Sequence, residues 1–453
     1  MASEIEPLTR RWCEKIFGAV RAAAVSSGVS GVEATISCGS HALTRFANNT
    51  IHQNVAERGA GLSVRAVIDG RTARASTNRL DADSIRKVVE ESIALTRLQE
   101  RDPDLPPLAE PEAIEPVERH FDSTANATPL ERAQAAAAMI AEAESRGFTA
   151  AGIYSTGESA FAILNSRGVF AYHSETMTQA SITVMGPDSS GWAKRSACDR
   201  LRLDPAALAR VAAEKAEASR RPVELPPGRY TVILEPAAVL DLAGQMFFDF
   251  SGTALRDGRS FLLDRVGTKL FGENVDIVDD VFHAGQSGAP FDGEGVPRRR
   301  LRLVERGVIS DVAYSRQAAL AAGASPTGHG FPAPNETGEA PVNVVFGGGS
   351  TSVEEMIRSS ERAILVTRLW YIREVDPYQK IMTGMTRDGT FLVEGGEIRR
   401  GLRNFRFNQS LVDLLQSVLA LSPAMRFSGE EAFDMVAPAM KAADFNFTEV
   451  TRF

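Results

Sequence analysis

Six histidines and three cysteines are the side chains of this 453-residue chain best suited to chemistry: His41, His52, His120, His173, His283 and His329, with Cys13, Cys38 and Cys198. Hydrolysis by bound zinc needs two or three His, Cys or carboxylate ligands in a tetrahedral set, an open position for water and a nearby general base. A helix supplies this most directly when two ligands one turn apart share a face. Here no histidine is followed by Glu, no two histidines lie within five residues, and no CxxC occurs. The spacing offers no local zinc site and leaves only the convergence of distant residues. Nucleophilic catalysis has no G-x-S-x-G elbow, and Cys38, at a strand end with only His41 nearby, reads as a small core hydrophobe.

Two glycine-bearing segments need a decision. Gly347-Gly348-Gly349-Ser350-Thr351 follows a strand, but it lacks the lysine of a phosphate-binding loop and the G-x-G-x-x-G spacing. It predicts a tight turn before a helix capped by Thr351 with Glu354 or Ser352 with Glu355. The segment Ser325-Pro326-Thr327-Gly328-His329-Gly330-Phe331-Pro332 places an imidazole between glycines that let backbone approach a ligand. It reads either as a candidate substrate-groove loop (Thr327, Gly328, His329, Gly330) or as an exposed turn histidine without a role.

The elements that would position these residues form two groups. An opening helix over about 6–27 puts Leu8, Trp12, Ile16 and Val20 on one stripe. Short alternating segments follow (VEATISC, HALTRFANN, TIHQNVAERG, GLSVRAVIDG, RTARAST), with Gly and Asn turns that suit an antiparallel meander, then a helix over 82–98. Asp102 to Glu118 holds five prolines and reads as an extended connector. Thr128-Pro129-Leu130-Glu131 starts a helix that Gly147 ends, and GIYSTG, AFAILNS, VFAYHSE and QASITVM add strands before a helix starting at Asp204-Pro205. The segment RPVELPPGRY, Arg221 to Tyr230, is the expected domain boundary. Beyond it YTVILE, RLRLVERGVI, VNVVFGGG, AILVTRLWYIREV, KIMTGM and GTFLVEGGEI predict strands, with a short helix near 410–421. The expected class is α+β: a 1–220 domain of helices on an antiparallel sheet, and a 229–453 domain, mostly antiparallel β and barrel-like.

Bulk properties narrow the function. A net charge of −8 disfavours direct nucleic-acid binding, and Arg298-Arg299-Arg300 with Arg302 reads as the solvated edge of a half-buried strand. No apolar run is long enough for a membrane span and the first residues carry no secretory signal. Three scattered cysteines point to a reducing, cytoplasmic compartment without disulfides.

The segments GLSVRAVIDGRTARASTNRLD, LPPGRYTVILEPAAVLDLAG, FDGEGVPRRRLRLVERGVI, SPTGHGF and TRLWYIREVDPYQKIMTGMTRDGTFLVEGGEI, with the closing DFNFTEVTRF, resemble the TldD/PmbA family, also called modulators of DNA gyrase. The resemblance runs over nearly the whole chain. It implies one of two subunit kinds: TldD, a zinc peptidase with an HExxxH helix, or TldE/PmbA, which keeps the fold, lacks the ligands and pairs with TldD. Aligning Gly244 with the family glycine puts the HExxxH positions on Leu240, Asp241 and Gln245, with both imidazoles lost. The resemblance thus implies a non-catalytic subunit that binds no zinc itself, pairs with an HExxxH-bearing subunit (or with a second copy of itself when alone), and contributes to a groove for peptides or peptide-like natural products. Two other readings stay open: an independent hydrolase with a repurposed cavity near His329, and a peptide-binding or regulatory module.

Overall fold

The computed structural model describes residues 9–451, so Leu8 and the final Arg452-Phe453 lie outside the described residues. Helix accounts for 25% and strand for 40% of the chain, and the two segregate instead of alternating, which makes the class α+β.

The first half is one six-stranded antiparallel sheet, in the order β3-β2-β1-β4-β5-β6, made of β1 (Gly31–Ala47), β2 (Thr50–Ile68), β3 (Arg71–Thr77), β4 (Thr149–Asn165), β5 (Phe170–Met185) and β6 (Ser190–Ala197). The segments expected as many short strands are therefore a few long ones. Their internal glycines are not turns: Gly39 pairs directly with Gly59, and a Cβ at Gly157 would lie 2.7 Å from the Ser40 carbonyl oxygen. A glycine inside a strand lets neighbouring backbones close up without breaking the alternation. The reversals fall at Asn48-Asn49 and Asp69-Gly70, where both residues of each pair have positive φ, as a tight hairpin demands.

Helices α1 (Arg10–Ser26), α2 (Ala82–Leu98), α3 (Asp122–Ala125), α4 (Pro129–Glu144) and α5 (Pro205–Ala218) accompany this sheet. Thr128 and Glu131 form the expected capping box on α4, and Asp204 caps α5. One face of the sheet buries Ile36, Val64 and Leu164 against α1 and α2, and Tyr154, Ile182 and Val184 against α4 and α5. The opposite face meets the second half of the chain, with Phe161 stacked on Phe291 at 5.9 Å.

The second half opens with β7 (Gly228–Leu234) and α6 (Pro236–Ala243). Strand β7 joins 362–376, 381–394, 405–410 and 440–450 in a closed five-strand barrel, in which only the β7 pairing with 362–376 is parallel. Its interior is aromatic, built from Phe405, Phe407, Phe445 and Phe447, and the same apolar core takes in Phe247 and Phe250 after α6. KIMTGM and GTFLVEGGEI form one continuous strand, 381–394, that turns at Gly395-Gly396. A second sheet of six short strands includes 301–305, where Leu301 and Leu303 are buried and Arg302 is exposed. Ser352 and Glu355 make the capping box of the helix after the triple glycine. No helix among the described residues is long and apolar enough to cross a membrane.

Candidate functional site

Helix α6 leaves β7 with Pro236 at its first position, where a missing N–H costs nothing, and every residue from Ala237 to Ala243 is buried. Leu240 is wholly enclosed in the apolar core. Asp241 is equally enclosed, and its Oδ1 accepts hydrogen bonds from the backbone N–H groups of Glu430 at 2.9 Å and Glu431 at 3.0 Å. Gln245 donates from Nε2 to the carbonyl oxygens of Asp241 and Glu431, both at 3.2 Å. All three residues thus hold down the segment 428–433. The contact is close: a Cβ at Gly429 would overlap Leu240, and one at Gly244 would overlap Ala432. Lys194 on β6 pins the same turn from the other side, donating to the Gly429 carbonyl at 2.7 Å and pairing with Glu430 at 3.2 Å.

Burial pushes the Asp241 carboxyl up to about 7, the two backbone N–H groups oppose it, and the charges of Glu430 and Glu431 add to it. Its Oδ2 is buried and has no hydrogen-bond partner among the described residues. These residues do not fit a zinc ion. Leu240 has no donor atom, the Gln245 amide is turned to carbonyls, and Asp241 already serves two N–H groups. Among the described residues no group of three or more His, Cys, Asp or Glu is arranged to hold a metal.

The centre of the 325–332 loop, Thr327 to Gly330, is buried, while Ser325 and Pro332 at its ends are exposed. His329 is 1% exposed, with Nδ1 at 2.9 Å from Thr327 Oγ1 and Nε2 at 3.1 Å from Asp279 Oδ1. Although burial works against the charged form of Asp279, the imidazole and Arg298 outweigh it and hold the carboxyl below its ordinary range. Gly328 has φ +76, and a Cβ there would overlap the Pro297 backbone. Gly330 donates its N–H to Asp292 Oδ2 at 2.8 Å, and Asp292 Oδ1 accepts from Glu294 and Val296 at 2.9 Å each. Burial and the Asp292 charge push the Glu294 carboxyl up to about 8. The four loop residues are therefore close together but face buried acids. Asp279, Asp292 and Glu294 escaped sequence reasoning. The D-G-E of FDGEGVP was the one available signal, and it carries no spacing that points to His329.

Two members of the arginine run meet acids, Arg300 with Asp280 at 3.1 Å and Arg302 with Glu305, whereas Arg298 buries Nε and Nη1 without a hydrogen-bond partner among the described residues. None of the three cysteines forms a disulfide. A cavity of about 930 Å³ lies between the two halves, and His329 is not in its wall.

Set beside known proteins, residues 227–449 match a family profile described as the PmbA/TldA metallopeptidase C-terminal domain. Residues 38–96 match the same family's domain 1, and 119–220 its central domain. A metalloprotease of Methanothermobacter thermautotrophicus is 26% identical over 283 residues, 58% of this chain and 59% of that protein. A metalloprotease of Methanocaldococcus jannaschii is 25% identical over 213 residues, 45% of each chain. The chain spans 40% to 59% of the length of the curated relatives it matches. In fold it is similar to TldE from Thermococcus kodakarensis, with a TM-score of 0.88 and 20% identity, over 96% of this chain and 99% of that one. It is similar also to a proposed modulator of a DNA gyrase from Thermotoga maritima, with a TM-score of 0.86 and 21% identity, over 96% and 100%.

Proposed function

Because this chain belongs to the PmbA/TldD metallopeptidase family, we propose that it is the subunit without catalytic zinc in a TldD/TldE-type two-chain peptidase. The observation that carries this reading is the state of α6. At the two positions where the family resemblance places imidazoles stand Leu240, closed in the core, and Gln245, bonded to carbonyls. The carboxylate between them is a structural cap, with no metal-bound water to deprotonate. The partner would carry HExxxH, the zinc and the general base. This chain would complete the groove for an extended peptide or peptide-like natural product, in the cytoplasm.

Co-expression with an HExxxH-bearing family member tests the reading. The two chains should co-elute in size-exclusion chromatography and cleave a flexible peptide that neither cleaves efficiently alone, and this chain alone should retain far less than stoichiometric zinc after dialysis. Chains that never associate, or chelator-sensitive hydrolysis by this chain alone, would overturn it.

A further inference from the structure

The cavity of about 930 Å³ between β6 and the segment 425–427 is of a size that takes a drug- or peptide-sized ligand, and it sits where two halves of a molecule meet. Its wall carries Arg195. The guanidinium lies 3.7 Å over the Phe427 ring and donates from Nη1 only to Met425 Sδ at 3.5 Å and the Arg426 carbonyl at 3.4 Å. No carboxylate among the described residues pairs with it. Glu235, whose charge reaches Arg195, is taken by Lys215 at 2.5 Å.

Two other cations of the wall, Lys194 and Arg426, are paired, with Glu430 at 3.2 Å and with Asp434 at 2.8 Å. Arg119 and Arg202 resemble Arg195 in having no carboxylate among the described residues. Arg119 donates to the carbonyls of Val281 and His283 and leaves its Nε buried without a partner, while Arg202 lies 5.9 Å from the Phe121 ring. Of the wall's remaining acids, Glu118, Asp204 and Glu354 are solvent-exposed, and Asp199 accepts from Ser123 at 2.6 Å and Leu201 at 3.0 Å. Water screens the exposed acids, whereas Arg195 is half-buried on an aromatic face. Alongside stand apolar side chains that folding leaves in water, Val211 at 44% and Met425 at 49% exposure.

A half-buried guanidinium without a carboxylate paired to it costs stability, and an anion docked beside it recovers the loss in charge-assisted hydrogen bonds. We propose that this cavity binds an extended peptide segment through a carboxylate held by Arg195 on Phe427, with a neighbouring apolar side chain against Met425 and Val211. That the ligand is a peptide rests on the function proposed above, whereas the anion site rests on the cavity alone.

The test is isothermal titration of the full chain, without any partner, with three pentapeptides of apolar sequence. One has a free C-terminal carboxylate, one is capped at both ends with an internal Glu, and one is capped and neutral. At least one acidic peptide should bind and the neutral one should not, and which acid binds tells a terminal carboxylate from a side-chain one. Arg195→Met should weaken the acidic peptide by about tenfold or more, in keeping with loss of a charge-assisted pair. Arg202→Glu, at an exposed position, should weaken the same peptide, with circular dichroism checking that the variant is folded. Absence of binding by both acidic peptides, equal binding of the neutral one, or acidic binding unchanged in both variants would overturn the site. Subunit association plays no part in the titration, so a failure here is distinguishable from failure of the two-chain reading.

Discussion

Asp241 stands where the family resemblance places a general base, and in this fold its carboxyl has a structural task, accepting from the Glu430 and Glu431 N–H groups. Its carboxyl is raised from an ordinary 3.8 to about 7, so the folded chain holds its proton where the unfolded chain has released it. The stability linked to this proton is therefore full below about 4 and lost as the pH rises through about 7. Asp241→Asn keeps an acceptor for the Glu430 and Glu431 N–H groups and removes the titration. It should raise the unfolding free energy by about 3 kcal/mol at pH 8 and by far less at pH 4, as denaturant melts at the two pH values would report. Asp241→Ala strands the same two N–H groups and should instead cost about 1–3 kcal/mol at pH 4, where no charge penalty is left to relieve.

At the scale of elements, α6 and the segment 428–433 form one packed unit, with Gly429 against Leu240 and Gly244 against Ala432. Leu240→His, Asp241→Glu and Gln245→His together rewrite HExxxH, yet they insert an imidazole where Leu240 is 0% exposed and lengthen an acid that abuts Gly429. A working site also needs a third ligand and partners that orient each imidazole. The C-terminal half has no cysteine, and His329 is committed to Asp279 and Thr327. The triple variant should lose about 3 kcal/mol or more of stability to overpacking and buried polarity, and should show neither bound zinc by elemental analysis nor peptide hydrolysis. Stoichiometric zinc in a well-folded triple variant would contradict this account.

Across the whole molecule, the helix-free face of the first sheet is joined to the second half by buried charge. Arg74 on β3 meets Glu33 on β1 at 2.7 Å and donates to the Ala333 carbonyl at 2.9 Å. Glu175 accepts from the Gly288 N–H at 2.6 Å, and Arg119 reaches the carbonyls of Val281 and His283. Such contacts should make the two halves unfold as one, in a single calorimetric transition. Arg74→Ala leaves Glu33, 1% exposed, with Arg65 at 3.9 Å as its one ion-pair partner among the described residues and the more distant charge of Arg316. The variant should lose about 3 kcal/mol and turn a single calorimetric transition into two. A single transition at the parent's midpoint would show that the halves are coupled by other means.

Local signals were legible in the chain itself. The capping box of Thr128 and Glu131, the helix over 82–98 and the alternation of Leu301, Arg302 and Leu303 all depend on neighbours within one turn or one strand, and sequence spacing reports those directly. The long strands were not legible, because a glycine that turns the chain and one that lets two strands close up look alike until the partner strand is known. Nor were the partners of the candidate residues: Asp279 lies 50 positions from His329, Glu430 lies 189 from Asp241, and Met425 lies 230 from Arg195. Residue types and local order belong to the sequence. Which buried charge finds a partner, and which is left facing a cavity, depends on long-range closure of two sheets and a barrel, and only the tertiary structure decides it.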